Sequence, residues 1–216
     1  MEYKIENPYG SFKCYYELEK RRVNIIIESC FDVQNLMASI QKQVNEFGLK
    51  EAFITSRVTG VFMGTPDYQI VSYSSFKTYE APKGYTLVPL NESLYQTYID
   101  LTNESTFDVD NMSYADIEEV KEYVEDKECH IGLIEFEGTK VGSYIIKNSE
   151  LELLAIHKDY QGMGHGKKAL QLLLSTIEGE KTLMVATSNK VAISLYVRSG
   201  FEKTDKYCSD WYHLIF

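Results

Sequence analysis

Apolar residues alternate with polar ones at Cys14, Tyr16 and Leu18, and again at Val23, Ile25 and Ile27, on either side of Glu19-Lys20-Arg21-Arg22. A period of two sends successive side chains to opposite faces of a strand, so this stretch predicts a hairpin. The period then changes. Val33, Leu36, Met37, Ile40, Val44 and Phe47 form a stripe at helical spacing, with Asp32 at the N-cap position and Gly48 where the helix should stop. Residues 51–58 read as a strand. Residues 59–79 mix β-branched and aromatic residues with Gly60, Gly64 and Pro66 and follow no single period. The N-terminal segment therefore reads β-β-α-β.

Ala81-Pro82-Lys83-Gly84 punctuates the chain and marks an expected boundary between 1–80 and 81–216. Beyond it, 92–103 reads as a helix carrying Leu94, Tyr95, Tyr98 and Leu101. Ser113-x-x-Asp116 resembles a capping box opening a second helix. Strands over 131–136 and 141–147 flank the turn Glu137-Gly138-Thr139-Lys140. A near-continuous apolar strand over 151–156 leads into a glycine-rich turn and a helix over 166–177. A strand over 182–186, a helix over 189–198 ended by Gly200, and two terminal strands near 201–206 and 211–216 complete the pattern. The order α-α-β-β-β-α-β-α-β-β predicts an α/β fold, a mixed central sheet with helices on its faces.

Composition narrows the function. The chain has 216 residues, 44% apolar and 25% charged, enough to bury a core and too apolar for disorder. No uncharged apolar run approaches the ~18 residues of a membrane helix, and Met1-Glu2-Tyr3-Lys4-Ile5-Glu6 has no basic-then-apolar signal pattern. Cys14, Cys30, Cys129 and Cys208 show no C-x-x-C spacing, as expected of reduced thiols in a cytoplasmic protein. Four scattered histidines predict no metal. The net charge of -10 is concentrated: residues 1–80 hold 9 Lys/Arg against 10 Asp/Glu, and 81–216 hold 13 against 22. That balance argues against nucleic acid, whose phosphates need cations, and favours a cationic ligand.

The chemistry concentrates at Gln161-Gly162-Met163-Gly164-His165-Gly166-Lys167. Glycines at a strand-to-helix junction let backbone N–H groups converge, and the helix N-terminus adds partial positive charge, a pairing that suits a phosphate or pyrophosphate. The spacing is neither the dinucleotide G-x-G-x-x-G nor a P-loop.

Gln161-x-x-Gly164-x-Gly166 resembles the Q/R-x-x-G-x-G/A signature of the GNAT superfamily of N-acetyltransferases, and Leu154-x-Ile156 before it looks like that family's pantetheine-binding strand. Asn189-x-x-Ala192-x-x-Leu195-Tyr196-x-x-x-Gly200-Phe201 resembles its second signature. The resemblance covers about 81–216 and implies a GNAT-like sheet with acetyl-CoA, or another acyl-CoA, as donor. It implies that the backbone of Leu154, Ala155 and Ile156 pairs with the pantetheine arm. N–H groups from Gly162, Met163, Gly164, His165, Gly166 and Lys167 would cradle the pyrophosphate, with Gln161 in the signature. Asn189 would contact the cofactor, and Tyr196 would lie near the thioester sulfur. Lys158 stands where many members have proline. Independently of the family, Asn189 and Tyr196 are seven residues apart and share a helix face, with the small Ala192 between them.

Glu150 and Glu152 are candidates for the base that neutralises an acceptor amine. Glu152 is preferred, with a parity matching Leu154 if the strand is regular. His157 and His165 sit at variable positions of the signature and are weaker candidates. Lys167, Lys168 and Lys190 are candidates for phosphate pairing. The eleven Asp/Glu between 100 and 128 suit either a solvated helical face or an electrostatic funnel.

The resemblance thus predicts acetyl transfer from acetyl-CoA to a primary amine on a small molecule or peptide, by direct transfer in a ternary complex, and the acidic charge balance predicts a cationic acceptor. The alternatives are an acyl-CoA-binding module without catalysis, or a transferase with a longer acyl donor. The N-terminal 80 residues fit a partial second acetyltransferase-like unit, or a lid or homodimer element.

Overall fold

A computed structural model describes residues 2–17, 20–58, 60–62, 64–109 and 112–216. Leu18, Glu19, Thr59, Met63 and Asp110, on which parts of the sequence reading fall, lie outside the described residues. The chain forms two compact units, one of residues 1–70 with 207–216 and one of residues 71–206. The expected division at residue 80 keeps each half contiguous. In the structure, the end of the chain belongs with its beginning.

The first unit contains β1 (Glu2–Asn7), β2 (Gly10–Glu17), β3 (Arg22–Cys30), α1 (Val33–Glu46) and β4 (Glu51–Ser56). It also holds the end of β11 (Glu202–Ile215), giving the strand order β1-β2-β3-β4-β11. The expected β-β-α-β segment thus gains a strand at its start. β1 runs antiparallel to β2 and β2 to β3, while β4 lies parallel to β3 after the helical crossover. Asp32 caps α1, its carboxylate accepting from the Asn35 amide at 3.1 Å. Leu36, Ile40 and Val44 bury the predicted stripe against Phe12, Ile25 and Ile54, whereas Val33 is exposed.

The second unit contains residues 71–75 of β5 (Tyr68–Ser75), then β6 (Tyr85–Pro89), α2 (Tyr95–Thr106), α3 (Ile117–Glu125), β7 (Cys129–Phe136), β8 (Thr139–Lys147), β9 (Glu150–Ile156), α4 (His165–Ser175), β10 (Lys181–Ala186) and α5 (Lys190–Ser199). Its strand order is β5-β10-β9-β8-β7-β6. β7, β8 and β9 form an antiparallel meander, and β10 lies parallel to β9 after α4. Helices cover both faces. α4 packs Ala169, Leu170 and Leu173 on one core cluster, and α2 packs Tyr98, Ile99 and Leu101 on another. The sheet is therefore mixed and flanked by helices. Three antiparallel strands, a helix and a parallel fourth strand occur in both units: β1-β2-β3-α1-β4 and β7-β8-β9-α4-β10.

Two local expectations change. Asp116, not Ser113, caps α3, accepting from the Glu119 amide at 2.9 Å. The two terminal strands are one, β11, because Asp210 in the polar middle is held by Gln69 at 2.7 Å and the Trp211 carbonyl accepts from the Asp67 amide at 3.0 Å.

Candidate active site

β9 and β10 pair only at Glu150–Thr182 and Leu151–Leu183. Both strands continue beyond these pairs, to Ile156 and Ala186, and a cleft of about 480 Å³ opens beside them. Its walls bring together Glu152, Leu154, Ala155, Ile156, Gln161, Gly162, Gly166, Asn189 and Tyr196 from the sequence reading. Met163, Gly164, His165 and Lys167 do not line it with side chains. Met163 is exposed, and His165 turns to Tyr85, its Nδ1 lying 2.7 Å from the phenol oxygen, among the rings of Phe136 and Tyr160.

The turn is shaped by its glycines. Gly162 and Gly164 adopt φ of 74° and 88°, left-handed conformations that side chains disfavour. Gly164 is the N-cap of α4 and supplies no side chain to cap it, so the first N–H groups of the helix point out of its end unsatisfied by a cap. Gln161 fixes the entry to the turn, its Nε2 donating to the Ile156 carbonyl at 2.8 Å. A Cβ on Gly166 would sit 3.8 Å from Ile156 Cγ1 and Leu195 Cδ2, inside the cleft wall. An uncapped helix start beside an unpaired strand edge fits an acyl-CoA: the helix end for the pyrophosphate, the strand for the amide-bearing arm.

Asn189 caps α5, its Oδ1 accepting from the Ala192 amide at 3.0 Å, which fixes the side chain at the helix start. One face of α5 then carries Asn189, Ala192 and Tyr196 into the cleft. Tyr196 is half-buried, its ring 5.9 Å from Phe201, and burial pushes its pKa up to about 12.

Glu152 departs from the expected parity. Ile145 pairs with Leu153 and Ile146 with Leu151, so Glu152 is the extra residue of a β-bulge. Leu154 packs with the α4 side, while Glu152 shares a small cavity with Leu153, Tyr98 and Tyr123 on the α2–α3 side. Desolvation, then the neighbouring Glu150, raises its carboxyl pKa; Lys147 and a hydrogen bond from Tyr123 oppose the rise.

Several contributors were not singled out. Tyr98, Glu119 and Tyr123 line the smaller cavity, and Asp108, Met112, Met184 and Val191 line the cleft. Asn103, 3% exposed, bridges the α2–α3 connection by donating to the Ala115 carbonyl at 2.9 Å and accepting from its amide at 2.7 Å. A buried asparagine near a helix end was the available signal. His157 is engaged with Glu104 at 3.0 Å, and Lys158 with Asp108 at 3.7 Å. Among the described residues, no group of three or more His, Cys, Asp or Glu is arranged to hold a metal, and no helix is long and apolar enough to cross a membrane.

In the first unit a cavity of about 610 Å³ lies between the ends of β3 and β4 and the 208–212 part of β11, but the parallel pair itself does not open. β3 and β4 remain paired from Asn24–Phe53 to Ile27–Ser56, the last residue of β4. Only Phe31 and Asp32 separate β3 from α1, and the Asp32 carboxylate occupies the helix N-terminus.

The model of the acetyltransferase (GNAT) domain matches residues 91–212. No curated protein sequence matches the chain. Among solved structures, the chain is similar to a GCN5-related N-acetyltransferase from Sphaerobacter thermophilus, with 13% identity, 95% of this chain and 76% of that one covered, and a TM-score of 0.59. A GCN5-related N-acetyltransferase from Kribbella flavida gives 13%, 99%, 89% and 0.59 in the same terms. A tandem GNAT protein from the clavulanic acid biosynthesis pathway gives 11%, 95%, 78% and 0.53. At these identities the structural likeness speaks for the fold, while the domain match spans more than half of the sequence. With the cleft, the glycine turn and the second signature all within that span, the chain belongs to the GNAT acetyltransferases, a family of acyl-transfer fold.

Proposed function

We propose that the protein is an N-acetyltransferase that moves an acetyl group from acetyl-CoA to a primary amine within a ternary complex. The observation that carries this reading is the opening of β9 from β10 beside the uncapped start of α4, with Tyr196 and Glu152 on the same cleft. When bound, acetyl-CoA supplies an acyl group already activated as a thioester. The N–H groups at 162–167 orient its pyrophosphate, and the 154–156 backbone aligns its arm. Glu152 takes a proton from the acceptor ammonium, leaving a neutral nucleophile. Tyr196 holds a proton at Oη for the departing sulfur. Per turnover one N–C bond forms, one C–S bond breaks and one proton reaches solvent.

The first unit is a GNAT-like half without a donor site, and residues 81–216 carry the transferase. Its repeated strand–helix order supports the first statement, and its closed β3–β4 ladder and Asp32 cap support the absence of a donor site. Thiol release with acetyl-CoA and a panel of amines tests the whole reading. Donor binding without thiol release would leave a binding module; release only with longer acyl donors would replace acetyl.

A further inference from the structure

The cavity beneath α2 and α3 has a volume of about 90 Å³ and shares Met112, Glu152 and Leu153 with the larger cleft. It holds a buried polar group that the fold satisfies poorly. Tyr98 is 1% exposed, and its hydroxyl makes no hydrogen bond of good geometry among the described residues, although the Thr102 hydroxyl is close enough to influence it. Thr102, one turn further along α2, spends its own hydroxyl on Ser143 at 2.8 Å. A phenol needed only for packing would be replaced by phenylalanine without loss, so a poorly paired buried hydroxyl facing a cavity calls for an explanation.

The rest of the lining restricts what could pair with it. Glu119 and Glu152 are both on the wall, and no lysine or arginine is. Glu119 lies close enough to act electrostatically on both Tyr98 and Tyr123, and Tyr123 hydrogen-bonds Glu152. Val120, Ile131 and Ile145 supply apolar wall between the carboxylates. The cavity's volume of about 90 Å³ and its narrow lining suit a short aliphatic chain with two nitrogens better than a saccharide ring or a folded peptide end.

Resting on the acetyltransferase reading above, we propose that this cavity seats the acceptor, and that the acceptor is a slender, unbranched aliphatic diamine or polyamine end. The reacting nitrogen lies at Glu152, where the cavity meets the donor cleft. The distal ammonium lies between the Glu119 carboxylate and the Tyr98 hydroxyl oxygen, donating to both. The carbon chain between them covers the apolar wall.

The test is calorimetric titration of putrescine into the full-length protein and its Tyr98→Phe and Glu119→Gln variants, with acetyl-CoA titrated separately and melting temperatures recorded. Putrescine should bind the unsubstituted protein. Tyr98→Phe should weaken it at least fivefold, with acetyl-CoA affinity unchanged and the melting temperature equal or higher, because a hydroxyl poorly paired in the free protein is removed. Glu119→Gln should weaken it at least as much. No putrescine binding, or affinity unaltered by Tyr98→Phe, overturns the proposal. So does acetylation of kanamycin or a peptide N-terminus in preference to putrescine. Failure of acetyl-CoA to bind refutes the donor reading instead, while putrescine binding that is lost in Tyr98→Phe still supports the cavity assignment.

Discussion

Glu152 and Leu154 lie on opposite sides of the sheet although only one residue separates them on β9. In a regular strand they would share a face. The bulge places Glu152 with Leu153 beneath α2 and α3, and returns Leu154 and Ile156 to the side of α4. A single extra residue thereby gives one strand two faces: Leu154 and Ile156 stay beside α4 along the cleft, and a carboxylate reaches the small cavity next to it.

Replacing that carboxylate should expose its role. Glu152→Gln keeps the shape and removes the base. Turnover should fall by roughly 10²–10⁴, the usual worth of a positioned proton acceptor. The sign of the pH dependence follows from the raised pKa. A base works when unprotonated, so turnover rises as pH rises through its pKa, and the acid limb lies above the ~4.3 of a free glutamate. Steady-state rates across pH should show that limb in the unsubstituted protein and lose it in Glu152→Gln. A limb kept at the same pH would move the base elsewhere.

Gly166→Ala and Gly164→Val should behave differently. Gly166 is helical, so alanine relieves the conformational entropy cost of glycine, its Cβ would make ordinary contacts with Ile156 and Leu195 at 3.8 Å, and the signature accepts alanine there. The melting temperature should hold or rise and acetyl-CoA affinity should change little. Gly164→Val puts a side chain where the backbone would meet phosphate, so affinity should fall about tenfold, ~1.4 kcal/mol, and at φ of 88° it also strains the backbone, so its melting temperature should drop. Calorimetry and thermal denaturation on both variants check the pair.

What the sequence made legible was local. The β7–β8 hairpin turns on Glu137-Gly138, both at positive φ, and the glycine turn announces itself by spacing. β1 and β6 went unread because they are edge strands, where one row of backbone groups lacks a neighbour and the alternation of burial is weak. The bulge at Glu152 and the poorly paired hydroxyl of Tyr98 were beyond reach for another reason. Each depends on which residues of distant elements meet, β8 against β9 and α2 against the sheet. Tyr98 looks, in sequence, like any other member of a helical stripe.

One acetyl-CoA should bind per chain. The two units repeat the same strand–helix order, but Asp32 places negative charge at the start of α1, where a pyrophosphate would need partial positive charge. Titration should give a stoichiometry near one, and Gly164→Val should weaken that single event without revealing a second. Two equivalents of donor would mean that the β3–β4 ladder opens on binding.

The acidic stretch between 100 and 128 should act at a distance on a cationic acceptor. Glu104, Asp108 and Asp126 are paired with His157, Lys158 and Lys147, so part of the charge is spent locally. The remaining field should still make kcat/KM fall as salt rises, since screening shortens its range to ~8 Å at physiological ionic strength. Initial rates from low to high salt with a cationic amine check this. A flat response would leave the stretch as a solvated face.

Tyr196 is the position at which packing and chemistry can be told apart most directly. Its ring contacts Phe201 at 5.9 Å, and its helix is fixed at one end by Asn189 and at the other by Gly200, whose amide donates to the Tyr196 and Val197 carbonyls. The ring is therefore placed by the fold whether or not the hydroxyl works. Burial pushes the phenol pKa up to about 12, so Tyr196 keeps its proton throughout the neutral range and can give it to a departing thiolate. Tyr196→Phe retains the ring and removes only the donor. Turnover should fall by roughly 10²–10⁴, and acetyl-CoA affinity should change little, because the lost group acts mainly in the transition state. Calorimetry, thermal denaturation and steady-state kinetics on the one variant decide the matter. A folded variant with full turnover would mean that water or another residue protonates the sulfur. A variant that unfolds would make Tyr196 a core residue whose hydroxyl the packing needs, an outcome weighed against its place on the cleft wall.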